Sequence, residues 1–63
     1  MERDSRKLIR RLEREGWVLQ RVTGSHHTFS HPDHTHVITL SHPKKDLSIG
    51  QLRSIYRLAG WKG

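Results

Sequence analysis

The sequence contains six histidines and no cysteine. Histidine is therefore its side chain best suited to proton transfer near neutral pH. His26 and His27 directly follow Gly24 and Ser25, a pair typical of tight turns. His42 precedes a proline and two lysines, whose charges could stabilise an anion. This arrangement favours general acid–base chemistry on a negatively charged substrate.

The other three histidines raise the alternative of a metal site. His31, His34 and His36 have an H-x-x-H-x-H spacing, but Asp33 is the one acidic residue near them and thiolate ligands are absent. Their segment has the composition of a hairpin. We therefore predict no metal site and no cofactor.

The chain is strongly basic. Twelve Lys and Arg residues against six Asp and Glu give a formal net charge of +6 in 63 residues. A field of this strength favours polyanions, with nucleic acid first and an anionic membrane surface as the weaker alternative. An acidic protein would suit the same surface, and a basic domain without such a partner is the remaining interpretation.

Contacts to phosphate are predicted at Lys44, Lys45 and Arg21, because their cationic side chains bind phosphate oxygens. For the two lysines, the competing interpretation is a solvated loop. His42 could contact phosphate or stabilise its loop, and both interpretations remain open. Ser25, in the glycine turn, is the further candidate for contact with the nucleic acid.

A single domain spanning residues 1–63 is predicted, with a helix at each end. The first helix runs from Ser5 to Glu15, with Asp4 or Ser5 as its N-cap and Gly16 as its stop. Arginines at i, i+4 spacing line one side of this helix, where they could contact nucleic acid or solvate the helix, and we favour the second interpretation: Arg6, Arg10 and Arg14.

The second helix follows Ser48, which forms a predicted capping box with Gln51. Leu47 and Leu52 have the spacing of a hydrophobic staple. Ile49 and the apolar residues that recur after it are predicted to face the core. Both tryptophans flank helix ends and are predicted to pack there rather than stack on bases.

Three short strands are predicted between the helices, over Trp17–Val22, His26–Ser30 and His36–Leu40. Strands joined by links this short must be antiparallel neighbours in one sheet. The order α-β-β-β-α predicts an α+β fold, a three-stranded antiparallel sheet with both helices on one face. The other face must then be open to solvent.

Alternation along the strands predicts which side chains lie on that open face. Phe29 is the natural core residue of the second strand, so His27 shares its face and is predicted to be semi-buried. His26 then lies on the open face, beside the glycine turn. By the same alternation, Arg21 lies on the face opposite Val18 and Val22.

From these residues the chain resembles the HicA family of toxin–antitoxin systems, compact α-β-β-β-α domains similar to double-stranded-RNA-binding domains. The matching pieces follow one another in order between Ser5 and Gly60. They are Ser5-Arg6-Lys7-Leu8-Ile9, Glu15-Gly16-Trp17, Gly24-Ser25-His26-His27 with Phe29, His31-Pro32, His42-Pro43-Lys44-Lys45-Asp46-Leu47, Leu52-Arg53-Ser54-Ile55, and Ala59-Gly60. The ordered set in so short a chain is specific, although each piece alone is weak.

The resemblance implies an mRNA-cleaving toxin that a HicB-type antitoxin holds inactive. The catalytic histidine of the family directly follows Gly-Ser, which corresponds to His26. The charged N-terminal segment has no apolar run behind it, so we expect a cytoplasmic protein with no membrane segment.

Cleavage of RNA suits the residues present, because RNA carries its own nucleophile in the 2′-hydroxyl group. Such an enzyme needs a proton acceptor, a proton donor and positive charge near the phosphate, and none of these requires a metal. His26 is the predicted acid–base group. The alternative is a non-catalytic RNA-binding module of the same fold, in which His26 is an ordinary turn residue.

Overall fold

The computed structural model describes residues 1–63 as five elements in the order α-β-β-β-α, which confirms the predicted fold. The helices are α1 (Ser5–Arg14) and α2 (Ile49–Ala59), and the strands are β1 (Val18–Thr23), β2 (His26–Ser30) and β3 (Ile38–Ser41). The strands form one antiparallel sheet in the order β1-β2-β3. Neither helix is long and apolar enough to span a bilayer.

Side-chain hydrogen bonds set where both helices begin. Asp4 caps α1 by accepting the N–H of Arg6 at 3.0 Å, and Ser48 caps α2 by accepting the N–H of Gln51 at 3.3 Å. The predicted capping box is only half formed. The Gln51 amide instead accepts the backbone N–H of Ser41 and donates to its hydroxyl, both at 3.0 Å. This exchange ties the start of α2 to the end of β3.

The core lies between the helices and one face of the sheet. Its eleven buried side chains are Leu8, Leu12, Trp17, Phe29, Ile38, Leu40, Leu47, Leu52, Ile55, Tyr56 and Trp61. Both tryptophans are therefore core residues, as predicted. Ile49, the first residue of α2, was expected to face the core; this is wrong, because it is 46% exposed, whereas Leu47 before the helix is fully buried.

A β-bulge in β1 changes which residues share a face. Gln20 is an extra residue there. On one side of it Val18 pairs with Ser30, and on the other side Arg21 pairs with Thr28. Val18 and Arg21 therefore both lie on the open face. The prediction that they lie on opposite faces is wrong, because it assumed an unbroken alternation along β1.

Three histidines surround Trp17 in the hairpin between β2 and β3. The centroids of their rings lie 5.2, 4.9 and 5.9 Å from that of the indole, in the order His31, His34 and His36. His36 also lies within hydrogen-bonding distance of helix α2, with its Nε2 2.8 Å from the Leu58 carbonyl. We call these four residues the Trp17 cluster. It lies at the opposite end of β2 from His26.

His31 joins this hairpin to the end of α1. Its Nδ1 accepts the N–H of Asp33 at 3.0 Å, so its Nε2 carries the ring proton and donates to the Glu15 carbonyl at 2.8 Å. Gly16 lies directly against this ring and has a φ of +96°, which favours glycine. In this conformation the chain turns from α1 into β1 directly beneath the His31 ring.

Gly16→Ala should destabilise the fold by roughly 1–3 kcal/mol, because the backbone has positive φ and a Cβ would lie 2.8 Å from His31 Nε2. Gly50→Ala is the matched control: it lies in α2 with nothing within 4 Å of the added Cβ. Because Gly50 lies in the first turn, alanine there should stabilise the helix by at most about 0.5–1 kcal/mol. The free energy of unfolding in urea measures both changes, and equal effects at the two sites would contradict this account.

Candidate active site

His26 is the first residue of β2 and directly follows a tight turn. Its partners in the sheet are Thr23 in β1 and Ser41 in β3. Phe29 lies on the core face three residues later, so the His26 side chain lies on the opposite, open face. The side chain is exposed, and its ring is accessible to a substrate.

Arg21 and Ser25 lie near His26, Arg21 in the neighbouring strand β1 and Ser25 in the turn before β2. Arg21 shares the open face with His26, on the neighbouring strand. Ser25 is exposed, and its backbone carbonyl accepts the N–H of His42 at 2.8 Å and Nδ1–H of His27 at 3.2 Å. The turn before His26 is thereby tied to the loop that follows β3.

His42 is held in place by Ser5, the first residue of α1. Ser5 is fully buried, and its Oγ lies 2.7 Å from His42 Nδ1. The same Oγ accepts the N–H of Lys44 at 2.9 Å, while Ser5 N–H donates to the Lys44 carbonyl at 2.8 Å. The ring of His27 packs edge-on against His42, with centroids 4.8 Å apart. These contacts hold His42 on the helix side of the sheet.

An open cleft of about 410 Å³ lies beside His42. It is lined by Asp4, Arg6, His42, Pro43, Lys44 and Lys45. We call it the basic cleft, because Arg6 and the two lysines outnumber Asp4, whose carboxylate also caps α1. Its positive charge suits an anion. Three of the predicted contact residues, at positions 42, 44 and 45, thus lie together.

The surroundings of His42 lower its pKa below the ordinary histidine value of 6.5. Burial of the ring is the largest cause, followed by electrostatic repulsion from His27 and from Arg6, whereas Asp4 acts in the opposite direction. The lowered pKa keeps the ring neutral at neutral pH. A neutral ring can form hydrogen bonds with a phosphate but adds no charge to the cleft.

The candidate residues therefore form two groups on opposite faces at one end of the sheet. His26 and Arg21 lie on the open face, and His42 lies in the basic cleft on the helix side. The two groups are adjacent along the backbone, because His26 pairs with Ser41, the residue before His42. A polyanion that passes around this end of the sheet can contact both.

Sequence reasoning missed the part that Ser5 and Arg6 play here. Ser5 was considered as a helix cap, and Arg6 was expected to solvate α1 rather than contact nucleic acid, since nothing local pairs residue 5 with residue 42. One signal was present: Ser5 lies three and seven residues before Leu8 and Leu12, on the stripe of α1 that faces the core. A serine on that stripe must find a hydrogen-bond partner elsewhere in the chain.

The geometry and the sequence both resemble those of known proteins. A family model described as the HicA toxin of bacterial toxin-antitoxin matches residues 5–61. A chain of the solved HicA3 and HicB3 toxin-antitoxin complex has the same fold, with a TM-score of 0.77, 42% identity, and coverage of 95% of this chain and 97% of that chain. No curated protein sequence gives a significant match. Because the family model covers nearly the whole chain and the solved relative shares its fold, the protein belongs to the HicA toxin family.

Proposed function

We propose that this protein is a metal-independent endoribonuclease, the toxin of a type II toxin–antitoxin system, and that it cleaves mRNA with His26 as its acid–base group. The observation that carries the proposal is the exposed His26 on the open sheet face, directly after a Gly-Ser turn, in a chain of the HicA toxin family. An imidazole in that position is accessible to a phosphodiester. We expect the protein to act in the cytoplasm, where mRNA is translated.

The reaction uses the 2′-hydroxyl of the RNA as nucleophile. His26 removes the proton of this hydroxyl, and the oxygen attacks the neighbouring phosphorus. A bond forms between the 2′-oxygen and phosphorus while the bond to the 5′-oxygen breaks. The leaving 5′-oxygen takes a proton from water, which leaves a 2′,3′-cyclic phosphate and a 5′-hydroxyl. His26 then releases its proton to solvent, so no metal is required.

Three cationic residues and the neutral His42 ring bind the backbone of the RNA on both sides of His26. Lys44, Lys45 and His42 contact phosphates in the basic cleft, and Arg21 contacts a phosphate on the open face. The Ser25 hydroxyl is exposed in the turn and can donate to the same backbone. Such contacts position the RNA without reading its sequence.

A HicB-type antitoxin is the proposed inhibitory protein partner. The solved relative is a complex of HicA3 with HicB3. An acidic partner would complement the net charge of +6 and could inhibit by covering His26. The edge strand β1 also exposes apolar surface that a partner would bury, at Val18, Leu19 and Val22.

His26→Ala should reduce cleavage of a labelled RNA in excess EDTA by about 10²–10⁴-fold, because the reaction loses its proton acceptor. RNA affinity should change little, since the proposed phosphate contacts are made by other residues. The unfolding midpoint should also change little, because the His26 side chain is exposed. His34→Ala is the matched control, because His34 is also exposed but lies in the Trp17 cluster. It should cleave like wild type.

If neither wild type nor His26→Ala cleaves RNA while both still bind it, the chain is a non-catalytic RNA-binding module. Comparable cleavage of DNA, or of RNA with a 2′-methoxy group at the scissile position, would contradict a 2′-hydroxyl nucleophile. Activity that disappears in EDTA would contradict the metal-independent mechanism.

Lys44→Gln should weaken RNA binding and make it less dependent on salt. Each phosphate contact with single-stranded RNA contributes about 0.7 to the slope of log affinity against log salt, so the slope should fall by about that amount. Arg57→Gln removes one positive charge in the last turn of α2, outside the basic cleft, and should leave the slope unchanged. Equal changes in both variants would mean that overall charge, rather than the cleft, binds the RNA.

A further inference from the structure

We propose that His42 acts as a neutral hydrogen-bond donor: the buried Ser5 hydroxyl holds its ring so that Nε2–H binds a non-bridging oxygen of an RNA phosphate in the basic cleft. This inference rests on the proposed function, because it takes RNA as the ligand. It goes further by specifying which ring nitrogen carries the proton, what the ring does and which residue positions it.

The hydrogen bonds of Ser5 determine the tautomer of His42. The Ser5 hydroxyl is fully buried and accepts the N–H of Lys44, so its own proton also needs an acceptor. His42 Nδ1, at 2.7 Å, is that acceptor. A neutral ring that accepts at Nδ1 carries its proton on Nε2. Nε2 is therefore the donor left for a ligand in the cleft.

The groups around His42 disfavour a second proton on its ring. His27 faces it from β2, Arg6 and Asp4 from the start of α1, and two lysines lie on its own loop. Burial of the ring is the largest cause of its lowered pKa, His27 and Arg6 act in the same direction, and Asp4 acts against them. The neutral ring is the form that this site stabilises.

A neutral donor complements the cations of the basic cleft. The lysines and Arg6 lie on flexible stems and supply charge, whereas the His42 ring has a fixed direction. The ring does not protonate the leaving oxygen, because a neutral imidazole that lost its Nε2 proton would become an imidazolate anion. Proton transfer stays with His26, and His42 positions the phosphate.

The tautomer can be measured directly by long-range ¹H–¹⁵N NMR on the wild-type protein without RNA. We expect the His42 ring to carry its proton on Nε2 at neutral pH and to titrate below the ordinary value of 6.5. A ring with its proton on Nδ1, or a titration above that value, would overturn the proposal. Ser5→Ala, where it folds, should increase the fraction of the Nδ1–H tautomer.

Two substitutions of His42 test its Nε2–H donor separately from its Nδ1 contact with Ser5. His42→Gln keeps an N–H near the position of Nε2, whereas His42→Asn keeps an acceptor near the position of Nδ1 but has no donor at the position of Nε2. Binding of a single-stranded 2′-methoxy RNA, which cannot be cleaved by the proposed route, should be roughly ten-fold weaker for His42→Asn and within about three-fold of wild type for His42→Gln. The reverse order would overturn the proposal.

The pH dependence of the same binding tests the charge of the ring. The ratio of wild-type affinity to His42→Gln affinity should stay flat between about pH 6.5 and 8, because a neutral donor takes up no proton. A ratio that rises as the pH falls would show that His42 binds RNA as a cation, and would overturn the proposal.

These measurements distinguish failure of this inference from failure of the proposed function. A protein that binds the 2′-methoxy RNA through His42 but cleaves no RNA would refute the ribonuclease and leave the donor role intact. If the protein cleaves RNA through His26 and the His42→Asn variant binds RNA like wild type, the donor role is refuted and the ribonuclease stands.

Discussion

The tie between Ser5 and the loop after β3 is the contact on which the candidate site depends. Ser5 is a polar residue on the core face of α1, completely buried, and its backbone and side chain together make three hydrogen bonds to residues 42 and 44. A buried hydroxyl without partners would cost about 1–3 kcal/mol, a large share of the stability of so small a domain. The loop is therefore held against the start of α1. The basic cleft is formed where these two segments meet.

The size of the chain explains why the candidate site is open and divided. A domain of 63 residues has only two helices to cover its sheet, and both pack on the same face. That side holds the core and, at its edge, the basic cleft. The opposite face stays free of other elements, and His26, at the end of β2 on that face, is exposed. The site is assembled around the end of the sheet instead of within a pocket.

The six histidines occupy three different environments in this fold. His26 is exposed on the open face, and His42 with its neighbour His27 packs at the edge of the core. The remaining three histidines surround Trp17, where His31 uses both ring nitrogens to hold the hairpin against α1. The chemistry available to each ring is thus set by its partners. The density of histidines in the sequence does not by itself indicate a shared site.

The sequence alone determined the order of the elements, because helical spacing, capping residues and glycine turns are local signals. It also placed His26 on the open face, since β2 alternates regularly between His26 and Phe29. It could not determine the bulge at Gln20, which moved Val18 to the face of Arg21, because a bulge is defined by the register of the partner strand. Nor could it pair Ser5 with His42, which lie 37 residues apart and meet only when α1 packs beside the end of β3. Residue types and their local spacing thus indicate what chemistry is possible, whereas the packing of distant segments decides which ring nitrogen, charge and cleft are brought together.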